Sequence, residues 1–459
     1  MPLLDPDQQN IAECLENHEY RGELAMRIKT FFFVVMVIGI FSYGSLRTAL
    51  AQSNPRYINL GSGAVGALYT PDSGGYSHVG IVVGHPTSNS LGCGTGWANR
   101  GFLALCFNTR YVANETAISW ETIILDVRSA VNFIKGHAGI TKVVLVGASG
   151  GGPLMTTYQA VAQNGAAYCQ GSNKLVECGN NVSGMPPADG VILNDSIPGY
   201  GINGLRFLDA SVVNEAHPEL VNSNLDPYNL NNGFNPNGTS TYSDDFKQRY
   251  HRVQADRMER LINTAQTRLR RAEEGKDSYR DNDVFVVGKG ETGPLFRLDL
   301  SIAHSTTKPR KLLKNDGSVV TQIVESVRLP APSLGDQSDL FEGGARLLTL
   351  QSFLSLRAIR AKTAYEFDMS SNNNSTGYHL QHISVPLLLV TSGAHYFIRD
   401  NETHYELAAS ADKDFVVTEG AAHTGPPCVP CEQVPGQYAN SAVNQMNYMV
   451  SWINQPGRF

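Results

Sequence analysis

Residues 142–153 read KVVLVGASGGGP: a short β-branched apolar run, then Gly147-Ala148-Ser149-Gly150-Gly151, then a helix-compatible segment. This is G-x-S-x-G set between a strand and a helix. A turn this tight holds its central residue in a strained backbone conformation and leaves no room for bulky flanking side chains. Small residues flank Ser149, so its hydroxyl projects from the end of the strand. The N-terminus of the next helix aims backbone N–H groups at the same spot. Neither G-x-x-x-x-G-K-[ST] nor G-x-G-x-x-G fits the stretch, which sets a phosphate cradle aside. Ser149 is read as a nucleophile.

Around this turn, from residue 52 to 200, strand and helix patterns alternate. Residues 79–84 (VGIVVG), 101–107 (GFLALCF), 142–146 and 190–193 (GVIL) read as buried strands. Residues 120–134 (WETIILDVRSAVNFI) carry apolar side chains at helical spacing with Glu121 in the first turn, and residues 151–163 form the helix after the nucleophile. Strands separated by helices imply βαβ units: an α/β protein with a mostly parallel sheet and helices on both faces.

The alternation then lapses. Residues 222–241, rich in Asn, Pro and Gly, read as loop. Residues 244–274 read as a long helix with Phe246, Tyr250, Met258, Leu261 and Ile262 near one face. Its arginines read as a solvated face rather than as an anion site. Residues 344–362 read as a further amphipathic helix and residues 370–375 (SSNNNS) as a polar linker. The sheet pattern resumes at 385–390 (VPLLLV) and 414–417 (DFVV), and a helix over 442–453 closes the chain. Four segments are expected: an extension with a leader (1–51), the first part of the core (52–197), a mainly helical insertion between the sixth and seventh strands (198–381), and the rest of the core (382–459). The insertion reads as a cap over the strand ends, where open α/β sheets bind ligands.

Among 459 residues, 42% are hydrophobic and 17% charged, an ordinary globular balance. A formal net charge of −6 offers no basic footprint for nucleic acid. No H-E-x-x-H or similar ligand spacing occurs, so neither a metal nor an organic cofactor is expected. Met26-Arg27-Ile28-Lys29, the apolar run 31–41 (FFFVVMVIGIF) and Ala49-Leu50-Ala51 before Gln52 have the form of a secretory leader over 26–51. The run is too short to span a bilayer comfortably. The polar segment 1–23 leaves two forms open: a start at Met26, or a membrane-anchored form held through residues 30–46. Secretion is the expectation. With Cys14 upstream, six of the seven cysteines remain, which suggests disulfides in an oxidising compartment. Cys169/Cys178 is the natural local pair, and Cys428-Val-Pro-Cys431 reads as a loop staple. N-x-[ST] sequons at Asn114, Asn181, Asn237, Asn373, Asn374 and Asn401 would mark surface loops. Oligomeric state is not legible.

A serine hydroxyl needs a base, normally histidine. His423, after the strand in DFVVTEGAAH, is the candidate; His404 and His217 read as surface loop histidines. With Ser149 and His423 in place the chain resembles the α/β-hydrolase superfamily. The resemblance covers residue 52 to about 200 and residue 385 to the end, and rests on the elbow, on the order nucleophile–acid–histidine, and on His85-Pro86 after VGIVVG. It implies an oxyanion hole formed by the Gly150 N–H and one from the loop after residue 84, assigned to Thr87 or a neighbour because Pro86 has none. It also implies a carboxylate. The frequent G-x-x-D after the seventh strand is absent, since Gly393-Ala394-His395-Tyr396 stands there. Some members place the acid after the sixth strand, where Asp195 ends GVILND; Asp400 and Glu402 are the competitors. The resemblance thus implies a Ser149–His423–Asp195 hydrolase acting on a carboxylic ester of a small molecule. Lactone, amide and peptide substrates, and a binding protein that lost catalysis, are the alternatives.

Overall fold

Val143, Val144, Leu145 and Val146 are all buried, the mark of a strand covered on both faces. The computed structural model describes residues 55–276, 282–291, 294–330 and 344–459. Its strands are β1 (Arg56–Gly61), β2 (Ala64–Tyr69), β3 (Val79–His85), β4 (Ala104–Asn108), β5 (Lys142–Ala148), β6 (Gly190–Asn194), β7 (Val284–Glu291), β8 (Arg310–Leu313), β9 (Val319–Gln322), β10 (Gly344–Thr349), β11 (Ala361–Thr363), β12 (Glu366–Phe367), β13 (Leu387–Ser392) and β14 (Lys413–Thr418). Ten of them form one sheet in the order β1-β2-β4-β3-β5-β6-β13-β14-β8-β9. From β4 to β8 every pairing is parallel, and β1, β2 and β9 add antiparallel edges.

Side chains along β5 alternate between two cores. Val143 and Leu145 join Trp120, Ile123, Val127 and Leu154, from the helices Trp120–Lys135 and Gly151–Asn164. Val144 and Val146 join Met449 and Trp452 from the helix Ser441–Ile453. Burying one such valine or leucine stabilises the fold by about 1.5–3 kcal/mol, so the strand that carries the elbow is among the most firmly held.

The segment between β6 and β13 is an insertion in a continuous sheet, because these two strands pair directly and in parallel. Its long helix, Asp244–Glu273, starts where Ser243 Oγ accepts the Phe246 N–H at 3.1 Å. Asp244 and Asp245 in its first turn and Arg270 and Arg271 in its last complement the helix dipole. One of its arginines departs from the solvated-face reading. Arg257 is fully buried, forked onto Glu215 at 2.7 Å through two nitrogens and bonded to the Asp209 carbonyl.

Three further expectations are corrected. Residues 344–362 are not a helix: β10 pairs antiparallel with β7, and only a single helical turn and the π-helix Phe353–Arg357 follow. Strand pairing with a distant partner overrides the local helical spacing. Residues 370–375 are no solvated linker, since Asn372, Asn373 and Asn374 are buried and their side chains bond the carbonyls of Ala358, Val176 and Leu356. The span 198–381 is not wholly cap, because β8 extends the parallel sheet beyond β14 and β9 follows it.

Cys93–Cys106, Cys169–Cys178 and Cys428–Cys431 are paired, with Cα separations of 6.0, 5.5 and 5.3 Å. Asn373, Asn374 and Asn401 are buried, which removes them as glycan acceptors in the folded chain; Asn114, Asn181 and Asn237 are exposed. Among the described residues no helix is long and apolar enough to cross a membrane. The leader 26–51 and the alternative anchor 30–46 lie outside the described residues.

Candidate functional site

Ser149 has φ +52°, a left-handed backbone conformation that costs a non-glycine residue about 1–2 kcal/mol. Close approach explains the glycines around it. A Cβ on Gly147 would collide with the Gly151 carbonyl, and one on Gly151 would stand 2.5 Å from the Gly84 carbonyl. The turn is pinned to the next strand: Ser149 N–H donates to the Asn194 carbonyl at 3.0 Å, and Ile197 N–H returns to the Ser149 carbonyl at 3.2 Å. The serine therefore stands at the carboxyl end of β5, beside the end of β6.

Asp195 follows β6, also with positive φ (+48°), and is fully buried. Its Oδ2 lies 2.6 Å from His423 Nδ1. The rival carboxylates are committed elsewhere. Asp400 pairs with Arg206 at 2.9 and 3.0 Å. Glu402 accepts from Thr307 N, Thr307 Oγ1, Lys308 N and Arg310 Nε at 2.6–3.1 Å. Of the three acids weighed from sequence, the one in hydrogen-bonding contact with His423 is Asp195.

His423 rides on a tight loop after β14. Ala421 bridges Pro427, Ala422 N–H bonds the Pro426 carbonyl at 2.7 Å, and Cys428–Cys431 closes the loop behind. Asn194 Nδ2 donates to the Thr424 carbonyl at 3.1 Å, and Gln445 Nε2 donates to Asn194 Oδ1. The end of β6 thus fixes both the acid and the loop that carries the histidine.

The sequence reading missed a second histidine. His395 Nδ1 lies 2.8 Å from the same Asp195 Oδ2, and its ring stacks on His423 at 4.3 Å and 29°. Its only sequence signal was its place in the loop after β13. Burial alone would raise the Asp195 pKa; the charges and hydrogen bonds of His395 and His423 overcome this and hold the carboxyl far below its usual range. Asp195, His395 and His423 also bring three metal-ligating atoms within 4.8 Å of one another, the group among the described residues suited to hold an ion. His404, read as a surface histidine, is buried on the helix Ile398–Leu407, whereas the His217 side chain is 61% exposed.

The Thr87 N–H is directed at His85 Nδ1 at 3.2 Å, beside the Ser88 N–H at 2.9 Å. Two N–H groups on Nδ1 leave the His85 proton on Nε2. Burial lowers the His85 pKa to about 4, and the ring is neutral. A Cβ on Gly150 would stand 2.8 Å from His85 Nε2 and would collide with the Tyr200 hydroxyl. The His85 ring and the Tyr200 hydroxyl therefore crowd the Gly150 backbone, and the Tyr200 side chain has Thr87 as a hydrogen-bond partner. Burial, with the Glu115 charge nearby, raises the Tyr200 pKa, so the phenol keeps its proton. The Arg357 guanidinium lies 5.1 Å from the Tyr200 ring, and Arg357 and Arg346 both pair with Glu115, at 2.7 and 2.8 Å.

A mostly parallel sheet with a serine on a strained strand-to-helix turn at its carboxyl edge is the α/β-hydrolase fold. No family model matches the chain, and no curated protein matches it in sequence. Among solved structures it is similar to a hypothetical protein of Pseudomonas aeruginosa (17% identity, 81% of this chain and 88% of that one, TM-score 0.37). It is also similar to Est1E of Butyrivibrio proteoclasticus (10%, 88% and 100%, TM-score 0.37). A third is the siderophore hydrolase EstB of Aspergillus fumigatus (11%, 88% and 96%, TM-score 0.40). Likenesses this distant bear on neither activity nor substrate.

Proposed function

We propose that the protein is a secreted serine hydrolase that cleaves a carboxylic ester of a small molecule through an acyl-enzyme. The observation that carries the reading is the 2.6 Å contact between His423 Nδ1 and a fully buried Asp195, whose strand end is bonded to the backbone of a strained Ser149. Ser149 Oγ attacks the ester carbonyl carbon while His423 Nε2 takes its proton. Asp195 keeps the His423 proton on Nδ1 and stabilises the imidazolium that forms. The tetrahedral oxyanion is held by the Gly150 N–H, one of the first N–H groups of the helix Gly151–Asn164, and by the Tyr200 hydroxyl. Collapse breaks the bond to the alkoxy oxygen, which leaves as the alcohol with the proton from His423. Water, deprotonated by the same histidine, then releases the acid and restores Ser149.

Within this reading, residues 198–381, less the sheet strands β8 and β9, serve as the cap, and residues 26–51 are removed on export. The paired cysteines support an oxidising destination. The test is active-site labelling with a fluorophosphonate. The wild-type chain is expected to label at Ser149 and to hydrolyse p-nitrophenyl esters, with both properties lost in Ser149→Ala. A wild-type chain that neither labels nor turns over would end the hydrolase reading.

A further inference from the structure

We propose that His395 is a positioning residue for this reaction: its Nδ1–H shares Asp195 Oδ2 with His423 and locks the carboxylate in the orientation His423 needs. The inference rests on the hydrolase reading above.

An ionised carboxylate offers about four lone-pair sites. In Asp195 three are met by hydrogen bonds, and the His395 ring faces the fourth at ion-pair distance. Oδ1 is approached by Thr391 Oγ1 at 2.8 Å and Ser392 N at 3.2 Å; Oδ2 is approached by His423 Nδ1 at 2.6 Å and His395 Nδ1 at 2.8 Å. Facing an anionic oxygen, both Nδ1 atoms carry protons. The Asp195 backbone is strained, and the groups that meet its carboxylate come from residues 391–395 and from His423.

His395 is itself held. Its ring lies 4.0 Å from Tyr396, 4.9 Å edge-on from Phe397 and 4.3 Å from His423, and its side chain is 12% exposed. It sits one residue short of the place where a G-x-x-D acid would stand. The acid has moved to the end of β6, and a histidine two residues past Gly393 reaches back to it.

The chemical consequence follows from the shared oxygen. A second N–H on Oδ2 lowers its affinity for a proton, so the His423 Nδ1 proton stays on the imidazole, where the mechanism requires it. It also removes a rotation of the carboxylate that would let His423 drift. Misplacement of reacting groups by about 1 Å costs up to about 10²-fold in rate. Loss of the donor is accordingly expected to lower kcat about 10- to 100-fold with KM unchanged, because no contact with the substrate is removed.

Two substitutions separate positioning from packing. His395→Asn keeps an N–H donor near the Nδ1 site and loses the ring; His395→Phe keeps a ring against Tyr396 and His423 and loses the donor. Positioning predicts that Asn retains most of the wild-type kcat and Phe does not. Proton NMR of the resting wild-type chain should show two low-field Nδ1–H resonances, with one absent and the His423 resonance shifted in His395→Phe. Wild-type kcat in His395→Phe together with an unmoved His423 resonance would overturn the proposal. So would a single low-field resonance in the wild type, an outcome that does not depend on either variant folding. A wild-type chain without esterase activity sinks the hydrolase reading instead, and the NMR arm still reports whether His395 donates to Asp195.

Discussion

Asp195→Asn tests the arrangement at its most connected point. Asparagine has the shape of aspartate but replaces one acceptor oxygen with an NH2 group. Every neighbour of Asp195 is a donor: two imidazole Nδ1–H groups on one oxygen, and the Thr391 hydroxyl and Ser392 N–H on the other. Either orientation of the amide sets N–H against N–H or O–H. The cheapest relief is for His423 to move its proton from Nδ1 to Nε2, which yields the tautomer that cannot accept the Ser149 proton. A wrong tautomer in an otherwise intact triad lowers kcat by about 10⁴, or about 5.4 kcal/mol of transition-state stabilisation. Asp400→Asn and Glu402→Gln are the controls. Asp400 holds Arg206, whose side chain is 8% exposed, and Glu402 is tied to residues 307–310. Breaking these pairs is expected to lower the melting temperature and leave kcat within a few-fold of wild type. The assay is p-nitrophenyl butyrate turnover alongside thermal unfolding for all three variants. If Asp195→Asn keeps kcat within tenfold while Asp400→Asn or Glu402→Gln loses it, the acid assignment is wrong.

The oxyanion arrangement predicts that Tyr200→Phe, which removes a hydroxyl from a buried ring beside Gly150, lowers kcat about 10²- to 10³-fold with little change in KM; unchanged kcat would return the role to the backbone of residues 87 and 88. Acid should unfold the protein through buried histidines. Burial lowers the pKa of His85 and His404 to about 4 and that of His379 to about 3, against 6.5 for a free side chain. Below pH 6.5 the unfolded chain binds protons that the native state refuses, so stability falls with pH until about 3–4. The loss reaches roughly 2 kcal/mol per histidine by pH 5. Urea midpoints at pH 7.5 and pH 5.0 measure it, and equal midpoints would refute this account of the three rings.

What the sequence disclosed and what it hid divide along sequence separation. The elbow was legible because two local demands coincide within residues 142–153: a continuous apolar, β-branched run for a doubly covered strand, and small residues where Gly147 and Gly151 meet neighbouring carbonyls. The long helix Asp244–Glu273 was legible for the same reason, with its Ser243 cap and its end charges in sequence order. β10 was misread because its residues share helical spacing with those after it, and only β7, on the far side of residues 292–343, makes it a strand. Residues 372–374 looked solvated because their polar side chains take partners such as Glu121, 252 positions away.

The site shows the same division. His423 could be placed after a strand, but its acid lies 228 positions earlier and becomes its partner only through the adjacency of β6, β13 and β14. Once that adjacency exists, the ends of β6 and β13 lie side by side, and a residue just beyond β13 can reach the first residue beyond β6. That is where His395 meets Asp195. The absence of G-x-x-D, which from sequence alone left three carboxylates in contention, has a physical complement. An acid at the end of β6 leaves the loop after β13 free to supply a donor instead of a charge, and a histidine there steadies the carboxylate without competing for its role.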